Sequence, residues 1–423
     1  MTTRRARVWF GTQLVGALVE GDSGRLRFNY EPAWLDAGFP ISLSLPLRED
    51  SPDLDAHAFF AGLLPEAATR TRIARERRVP EADDFGLLLE IGRDCAGALS
   101  VLPEDELPET QATAPTLLTQ GELERLLLSR GHSVPDQAHP RRFSLAGAQD
   151  KVAVIVQGER YALPDHAHPS NAILKFETIR WVCFAERAGN ALAHKLGLAV
   201  VPTHYRFHDK DPYLLVERYD RYDEGGLIRR LHQEDLTQAL GYPSHCKYES
   251  DGGPSLAQIA ELLRQHALDP VRDAERLRDW QLFNYLAGNY DGHAKNISLL
   301  YTPGVGAPTL APFYDLVCIE FMNRIGVSSY ERLLAFSIAG RAEPESIRSK
   351  DWEQWSKDMG LPPRRVLQRL EELASIAPSA ARAVREALAA ERGDQQAHDY
   401  FEQTIGDRSR WVLSNVTSPR RKR

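Results

Sequence analysis

Apolar and polar positions at the start of the chain alternate in the manner of short strands. Val8-Trp9-Phe10 and Leu14 to Val19 flank Gly11, which predicts an opening hairpin, and Leu26 to Tyr30 alternates as a half-buried strand does. Ala58 to Glu66 is an apolar run broken by Pro65. Arginine-rich Arg70 to Arg78 follows, read as a solvated helix face rather than a nucleic-acid surface, and Asp84 to Glu90 predicts another helix. Leu102 to Pro115 carries Pro103, Pro108 and Pro115 among acids and threonines, a linker composition. Residues 117–128 then predict a short helix with Leu117, Leu118, Leu123, Leu126 and Leu127 on its apolar face.

Val152 to Val156, Ala172 to Phe176 and Tyr213 to Val216 read as apolar strands, and Glu186 opens a helix that ends near Gly197. From Arg230 to Gly241 the pattern starts a region that is largely helical to the C-terminus. Leu277, Trp280, Phe283 and Ala287 recur at helical spacing, and helices are expected over Trp352–Met359, Arg364–Ala374 and Ala380–Glu391. Between them, Ile297 to Tyr301, Pro303 to Gly306 and Thr309 to Asp315 read as strand, turn, strand. That hairpin would fold Asp315 back beside Asp291.

Composition narrows the class. The 423 residues are 43% hydrophobic and 26% charged, ordinary for a globular chain of two or three domains, and the net charge of -7 argues against broad nucleic-acid binding. Four cysteines without C-x-x-C or metal spacing fit a reducing compartment. The basic Met1 to Arg5 has no apolar stretch behind it, and no window approaches the roughly 18 apolar residues of a membrane span. A cytoplasmic protein with no membrane partner is expected.

The candidate chemistry lies where the Leu277–Ala287 stripe ends. Asp291 and Asn296 have the D-x-x-x-x-N spacing of a kinase catalytic loop, in which the aspartate accepts the acceptor's proton and the asparagine holds Mg2+. Asp291-Gly292 is equally a turn signal when taken alone. Lys175 sits inside an apolar strand, where a lysine must find an anion, and Glu186 follows on a helix; the pair is a kinase arrangement or an ordinary ion pair. Ser144 to Lys151 is a small-residue loop able to bring backbone N–H groups to phosphates, or a plain turn.

Taken in order, several segments resemble the HipA family of bacterial toxin serine/threonine kinases. They are Phe60 to Glu66, Glu90 to Leu99, Ser144 to Lys151, Val216 to Arg221, Arg230 to Gly241, Lys247 to Pro254, Asp291 to Asn296 and Pro312 to Asp315. The resemblance implies an α+β, two-lobed kinase-like fold with a small mixed α/β N-terminal subdomain and a mostly helical C-terminal lobe. Its divisions would be 1–110, the nucleotide-binding region 111–255, the catalytic lobe 256–415 and a basic tail 416–423.

By the same resemblance Asp291 is the proton acceptor, and Asn296 and Asp315 hold Mg2+. Lys175 contacts the ATP phosphates with Glu186 as its partner, and Ala146, Gly147, Ala148, Gln149, Asp150 and Lys151 form the phosphate-side loop. Glu217, Arg218 and Tyr219 line the adenine pocket, with His293 and Tyr314 near the nucleotide. Ser144 matches an autophosphorylated serine that switches the kinase off. A helix-turn-helix antitoxin (HipB-like), operator DNA reached through it, and an aminoacyl-tRNA synthetase as protein substrate are implied as partners. The rival readings are a catalytically weak co-repressor of the antitoxin and a small-molecule kinase.

Overall fold

The computed structural model describes residues 4–21, 23–48, 53–109, 114–131, 150–165, 167–327, 329–389 and 395–417. Ser144, Ala146, Gly147, Ala148, Gln149 and the tail beyond 417 lie outside them. In chain order the front segment runs β1 (Arg5–Phe10), β2 (Gln13–Glu20), β3 (Leu26–Tyr30), α1 (Pro32–Ala37), β4 (Leu54–Asp55), α2 (His57–Gly62), α3 (Ala67–Arg77), α4 (Asp84–Ile91) and β5 (Leu99–Pro103). It continues through α5 (Gln120–Leu128), β6 (Lys151–Gln157), β7 (Arg160–Ala162), β8 (Ala172–Phe176), α6 (Val182–Lys195), β9 (Thr203–His208) and β10 (Asp211–Glu217). Then come β11 (Arg221–Glu224), β12 (Leu227–Arg230), β13 (His232–Asp235), α7 (Leu236–Ala239), α8 (Leu256–His266), α9 (Pro270–Ala287), β14 (Ser298–Tyr301) and β15 (Thr309–Leu310). The rest is helical: α10 (Ile319–Arg324), α11 (Ser349–Asp358), α12 (Pro363–Ala389) and α13 (Gln395–Val412).

These elements fall into two compact units. One is Met1–Phe176 with Leu215–His245 and Ser298–Pro308; the other is Glu177–Leu214 with Cys246–Ile297 and Thr309–Arg423. In the first, a sheet of order β4-β3-β2-β1-β5 is antiparallel throughout, and the expected opening hairpin is β1 with β2. The inward residues of its strands, Val8, Val15, Leu18, Leu26, Phe28 and Val101, bury against Phe59, Phe60, Phe85 and Leu88 of α2 and α4. Arg70 to Arg77 is helical as expected, with only Thr69 and Ala74 of α3 buried. β6 pairs antiparallel with both β7 and β8.

Several expectations need correction. Leu102 and Pro103 are not linker, because β5 pairs them with Arg7 and Ala6 of β1. α5 starts at Gln120 because Thr119 and Glu122 form a reciprocal capping box, and Leu117-Leu118 instead extend alongside β7. The Arg230–Gly241 segment opens as strand β13 paired with β14, with α7 only one turn long. The two helices expected over 364–374 and 380–391 are one helix of 27 residues that runs through Pro378. An interior proline costs about 3 kcal/mol, and the buried stripe of Leu370, Leu373, Ala377, Ala381 and Val384 offsets it.

In the second unit α6 begins at Val182, four residues before the expected start. The Glu177 carboxylate accepts the backbone N–H groups of Trp181 (2.5 Å) and Cys183 (3.1 Å), so the first turn is satisfied from outside the helix. α9 carries Leu277, Trp280, Phe283 and Ala287 buried, as the spacing predicts. Among the described residues, no helix is long and apolar enough to cross a membrane.

Candidate active site

The loop that follows α9 is shaped by its own backbone. Gly288 closes the helix in the left-handed region at φ 69°, and Asn289 turns back so that its N–H meets the Asn284 carbonyl at 3.0 Å. The Asn289 side chain accepts the Asp291 N–H at 3.3 Å. The Asp291 carbonyl then accepts twice, from the His293 N–H at 2.9 Å and from Asn296 Nδ2 at 3.0 Å. A Cβ on Gly292 would lie 2.6 Å from Asn284 Nδ2, so the loop seats directly on α9. Five residues of separation are therefore closed by one amide, and the Asn296 Oδ1 is turned away from that bond.

The second acid is tied to this loop. The Tyr314 hydroxyl donates to the Lys295 carbonyl at 2.7 Å, and the Phe313 ring packs on Trp280 at 6.1 Å. α9 also grips the strand before it: Asp273 accepts the Leu310 N–H at 2.9 Å, and Arg276 reaches the Leu310 and Ala311 carbonyls at 2.5 and 2.8 Å. Asp315 itself has φ 59°, a left-handed backbone that Asp tolerates better than most residues, and its carbonyl accepts the Val317 N–H at 3.1 Å. The following residues meet α6. The Cys318 N–H points to the Ala185 carbonyl at 3.5 Å, and Gly189 leaves room for the Leu316 carbonyl. Glu186, 1% exposed, is thus on the helix that packs against the Asp315 segment.

So the second unit gathers Asp291, His293, Asn296, Tyr314 and Asp315 with the helix of Glu186. Asp291 and Asp315 are half-buried, while His293 and Asn296 are 6% exposed. An amide and a carboxylate oxygen are donors of the kind Mg2+ takes alongside phosphate oxygens; the donor set fits.

The remaining sequence candidates belong to the first unit. Lys175 on β8 stands directly opposite Lys151 on β6, which puts two ammonium groups on one face of the sheet. Glu217 ends β10. Arg218 is tied into the fold by its side chain: its guanidinium is fully buried and bonds Asp220 at 3.0 and 2.8 Å and Ser170 Oγ at 2.9 Å. Its side chain is committed to holding the fold. The Tyr219 hydroxyl donates to Gln233 at 2.5 Å.

That commitment is part of a larger knot. Arg221, 1% exposed at its side chain, reaches Asp94 at 2.8 Å, and its other N–H groups reach the carbonyls of Ser170, Gly97, Asp220 and Cys95. Gly97 N–H donates to Asp220 at 2.8 Å, and Ser170 donates to Asp94 at 2.9 Å. Burial alone would raise the Asp94 and Asp220 carboxyls. The Arg221 and Arg218 guanidinia outweigh it and hold both below the usual carboxylate range. A cavity of about 480 Å³ beside the knot is lined by Phe10, Gln13, Asp94, Tyr222 and Arg230 among others, and of its charged groups Asp94 and Arg230 are bonded within the fold.

One contact was missed by sequence reasoning. The Tyr248 hydroxyl donates to Asp291 Oδ1, across 43 residues of chain. Its only sequence signal is membership in the Lys247–Pro254 segment, which carried a resemblance but no role.

Comparison with known proteins identifies the family. Residues 143–381 match the HipA-like C-terminal domain and residues 6–102 the HipA N-terminal domain. The chain is 34% identical over 434 residues to protein Y4mE of Sinorhizobium fredii, spanning 98% of this chain and 100% of that one. It is 29% identical to the serine/threonine-protein kinase toxin HipA of Shewanella oneidensis, over 88% of this chain and 87% of the other. A solved structure of Shewanella oneidensis HipA with HipB and its operator DNA matches with a TM-score of 0.84 at 26% identity, over 97% of this chain and 98% of that one. The fold is accordingly α+β and kinase-like, and the chain belongs to the HipA family of serine/threonine kinase toxins.

Proposed function

We infer that this protein transfers the γ-phosphate of ATP to a serine or threonine hydroxyl of another protein, with Asp291 as the proton acceptor. The observation that carries the reading is the closure of the Asp291–Asn296 loop on α9 with the Tyr314–Asp315 segment bonded to it. Asn296 and Asp315 would hold Mg2+, which supplies neutralisation of the phosphate charge. The acceptor oxygen forms its bond to the γ-phosphorus, the bond to the bridging oxygen breaks, ADP leaves, and the acceptor proton goes to the Asp291 carboxylate. Such a transfer needs positioning and charge more than covalent chemistry.

Lys175 and Lys151, facing each other across the β6–β8 pair, suit the phosphate side. With them we place Ala146, Gly147, Ala148, Gln149 and Asp150 there, Glu186 as the Lys175 partner, and His293 and Tyr314 near the nucleotide. Glu217 to Tyr219 would border the adenine, Arg218 through its backbone alone. The divisions 1–110, 111–255 and 256–415 then serve as N-terminal subdomain, nucleotide-binding region and catalytic lobe. Autophosphorylation of Ser144 would add about -1.5 to -2 charge to the phosphate loop and turn the enzyme off. A HipB-like helix-turn-helix antitoxin that carries the complex to operator DNA is the partner this reading takes from the Shewanella oneidensis structure. An aminoacyl-tRNA synthetase is the proposed substrate, whose modification would halt translation in the cytoplasm.

The test is incorporation of label from γ-labelled ATP with Mg2+ into the chain and into proteins of an induced cell extract, with site mapping by mass spectrometry. Asp291→Asn should cut the rate by on the order of a thousandfold and abolish growth arrest on overexpression, with the thermal melt unchanged. Equal labelling in that variant sinks the assignment of Asp291. No label anywhere, with toxicity intact, supports a co-repressor instead. Ser144→Ala should prolong activity, and an unchanged time course would remove the off-switch.

A further inference from the structure

A carboxylate that accepts a proton must present one oxygen to the incoming hydroxyl, and the Cβ–Cγ bond of an aspartate rotates unless something holds it. The backbone of the 291–296 loop is fixed by the bonds described above, but these do not fix the carboxylate. Its Oδ1 takes the hydroxyl hydrogen of Tyr248. A hydroxyl donating to an ionised carboxylate is among the stronger neutral-to-charged hydrogen bonds.

Tyr248 is itself held from several sides. Its ring stands edge-on to the His293 ring, with centroids 5.1 Å apart and planes at 90°. The Lys247 ammonium lies 5.6 Å from the ring centroid, and the Lys247 carbonyl accepts the Ala294 N–H at 3.2 Å. The Tyr248 carbonyl accepts the N–H groups of Asp251 (3.1 Å) and Gly253 (2.9 Å), which closes the turn behind it. Next along the chain, Glu249 accepts the Ser337 N–H at 2.6 Å, anchoring the segment to a third stretch of the same unit. The whole Lys247–Pro254 segment is thus built to bring one phenol to one carboxylate oxygen.

We propose that Tyr248 is the positioning residue of the phosphoryl-transfer step: it pins Asp291 Oδ1 and leaves Oδ2 aimed at the acceptor hydroxyl. The proposal rests on the reading of Asp291 as proton acceptor. Because Tyr248 acts through Asp291 and not on ATP, its removal should slow the step without weakening nucleotide binding. The phenol must also be protonated to do this, since a phenolate cannot donate and would repel the carboxylate.

The experiment uses the full chain, autophosphorylation from γ-labelled ATP with Mg2+, and rates measured against ATP concentration. Tyr248→Phe should lower the maximal rate about tenfold with the half-saturating ATP concentration within about twofold. In an Asp291→Asn background the same change should add nothing, since the two groups act as one unit. A fluorinated tyrosine of lower phenol pKa at 248 preserves shape, so it reports even where the Phe variant folds poorly. It should be active near neutrality and lose rate as pH rises through that lower pKa, where wild type does not. An unchanged or faster Tyr248→Phe, additive losses in the double variant, or an alkaline limb indifferent to fluorination would overturn the proposal while leaving Asp291 in place. A fully active Asp291→Asn would instead bring down the reading beneath it.

Discussion

In the first unit, the side chains of Asp94 and Asp220 are 5% exposed and Arg221 has every N–H group engaged. In the second, Asp291 is half-buried, its backbone carries most of the bonding, and one phenol holds its carboxylate. Both regions are made of aspartates beside glycines and polar side chains, and both fall in segments that resemble the same family. They differ in where the charge is spent. In the knot each carboxylate faces guanidinium groups and backbone N–H, so the charge is neutralised within the fold. In the loop the fold satisfies the peptide groups and leaves the carboxylate with one hydroxyl as its partner. On the proposed reading, satisfaction of the side chain, more than its burial or its motif, separates a structural acid from a proton acceptor.

The sharpest break of that contrast is Asp220→Ala. It removes the carboxylate that bonds Arg218 twice and receives the Gly97 N–H, leaving two buried guanidinium charges, Arg218 and Arg221, to share Asp94. The cost should be about 3 to 5 kcal/mol, read as a lowered midpoint in chemical denaturation. Asp291→Asn should show the reverse profile, with activity lost and the midpoint kept. Equal destabilisation by the two variants would erase the distinction.

Glu234 tests a case between the two. It is fully buried yet faces hydroxyls and an N–H in place of a cation: Ser42 Oγ at 2.5 Å, the Tyr301 hydroxyl, and the Leu43 N–H at 3.1 Å. Burial pushes its carboxyl up to about 7 against those donors. A folded pKa above the unfolded 4.5 favours the protonated form, so this contribution is full below pH 4.5 and is lost as pH rises through about 7. The neighbouring His232 has the opposite window. Burial lowers it to about 4, so its contribution is present above its ordinary 6.5 and lost as pH falls through about 4. The difference between wild type and Glu234→Gln isolates the first. Wild type should lose on the order of a few kcal/mol relative to the Gln variant between pH 4.5 and 7, and parallel stability curves would show that Glu234 is ionised in the fold like the knot acids.

Much of this was open to sequence reading, for physical reasons that also mark its limit. The β1–β3 alternation and the α9 stripe are local periodicities, and Asp291, Asn296 and Asp315 lie within one short stretch whose spacing encodes a loop. What failed was non-local. β13 reads as helix because His232, Gln233, Glu234 and Asp235 are four successive buried polar residues, and their partners at Ile41, Ser42 and Tyr301 are far along the chain. The early start of α6 depends on Glu177 reaching forward to two amides. The structural role of the Arg218 side chain was out of reach because nothing local reveals Asp220 and Ser170 around it. Tyr248 was hidden in the same way: a tyrosine in a charged turn has no signature of the carboxylate it will touch.

Gly189→Ala probes the smallest margin, because two principles oppose each other there. In a helix interior, alanine is favoured over glycine by about 1 kcal/mol, so the substitution in α6 should stabilise. However, a Cβ at 189 would overlap the Leu316 carbonyl oxygen, which is backbone and cannot rotate aside. Overpacking of this kind costs about 1 to 3 kcal/mol, so the net change should lie between no effect and a loss of about 2 kcal/mol. The relief available is a shift of Leu316 away from α6, and Leu316 directly follows Asp315, whose φ of 59° leaves its backbone little freedom to absorb the shift. The half-saturating ATP concentration should therefore rise in Gly189→Ala more than the maximal rate falls, because the displaced group is a proposed Mg2+ holder and not the proton acceptor. A variant more stable than wild type with unaltered ATP dependence would mean that α6 yields to the Asp315 segment, and that the segment owes its position to α9 and the Tyr314–Lys295 bond.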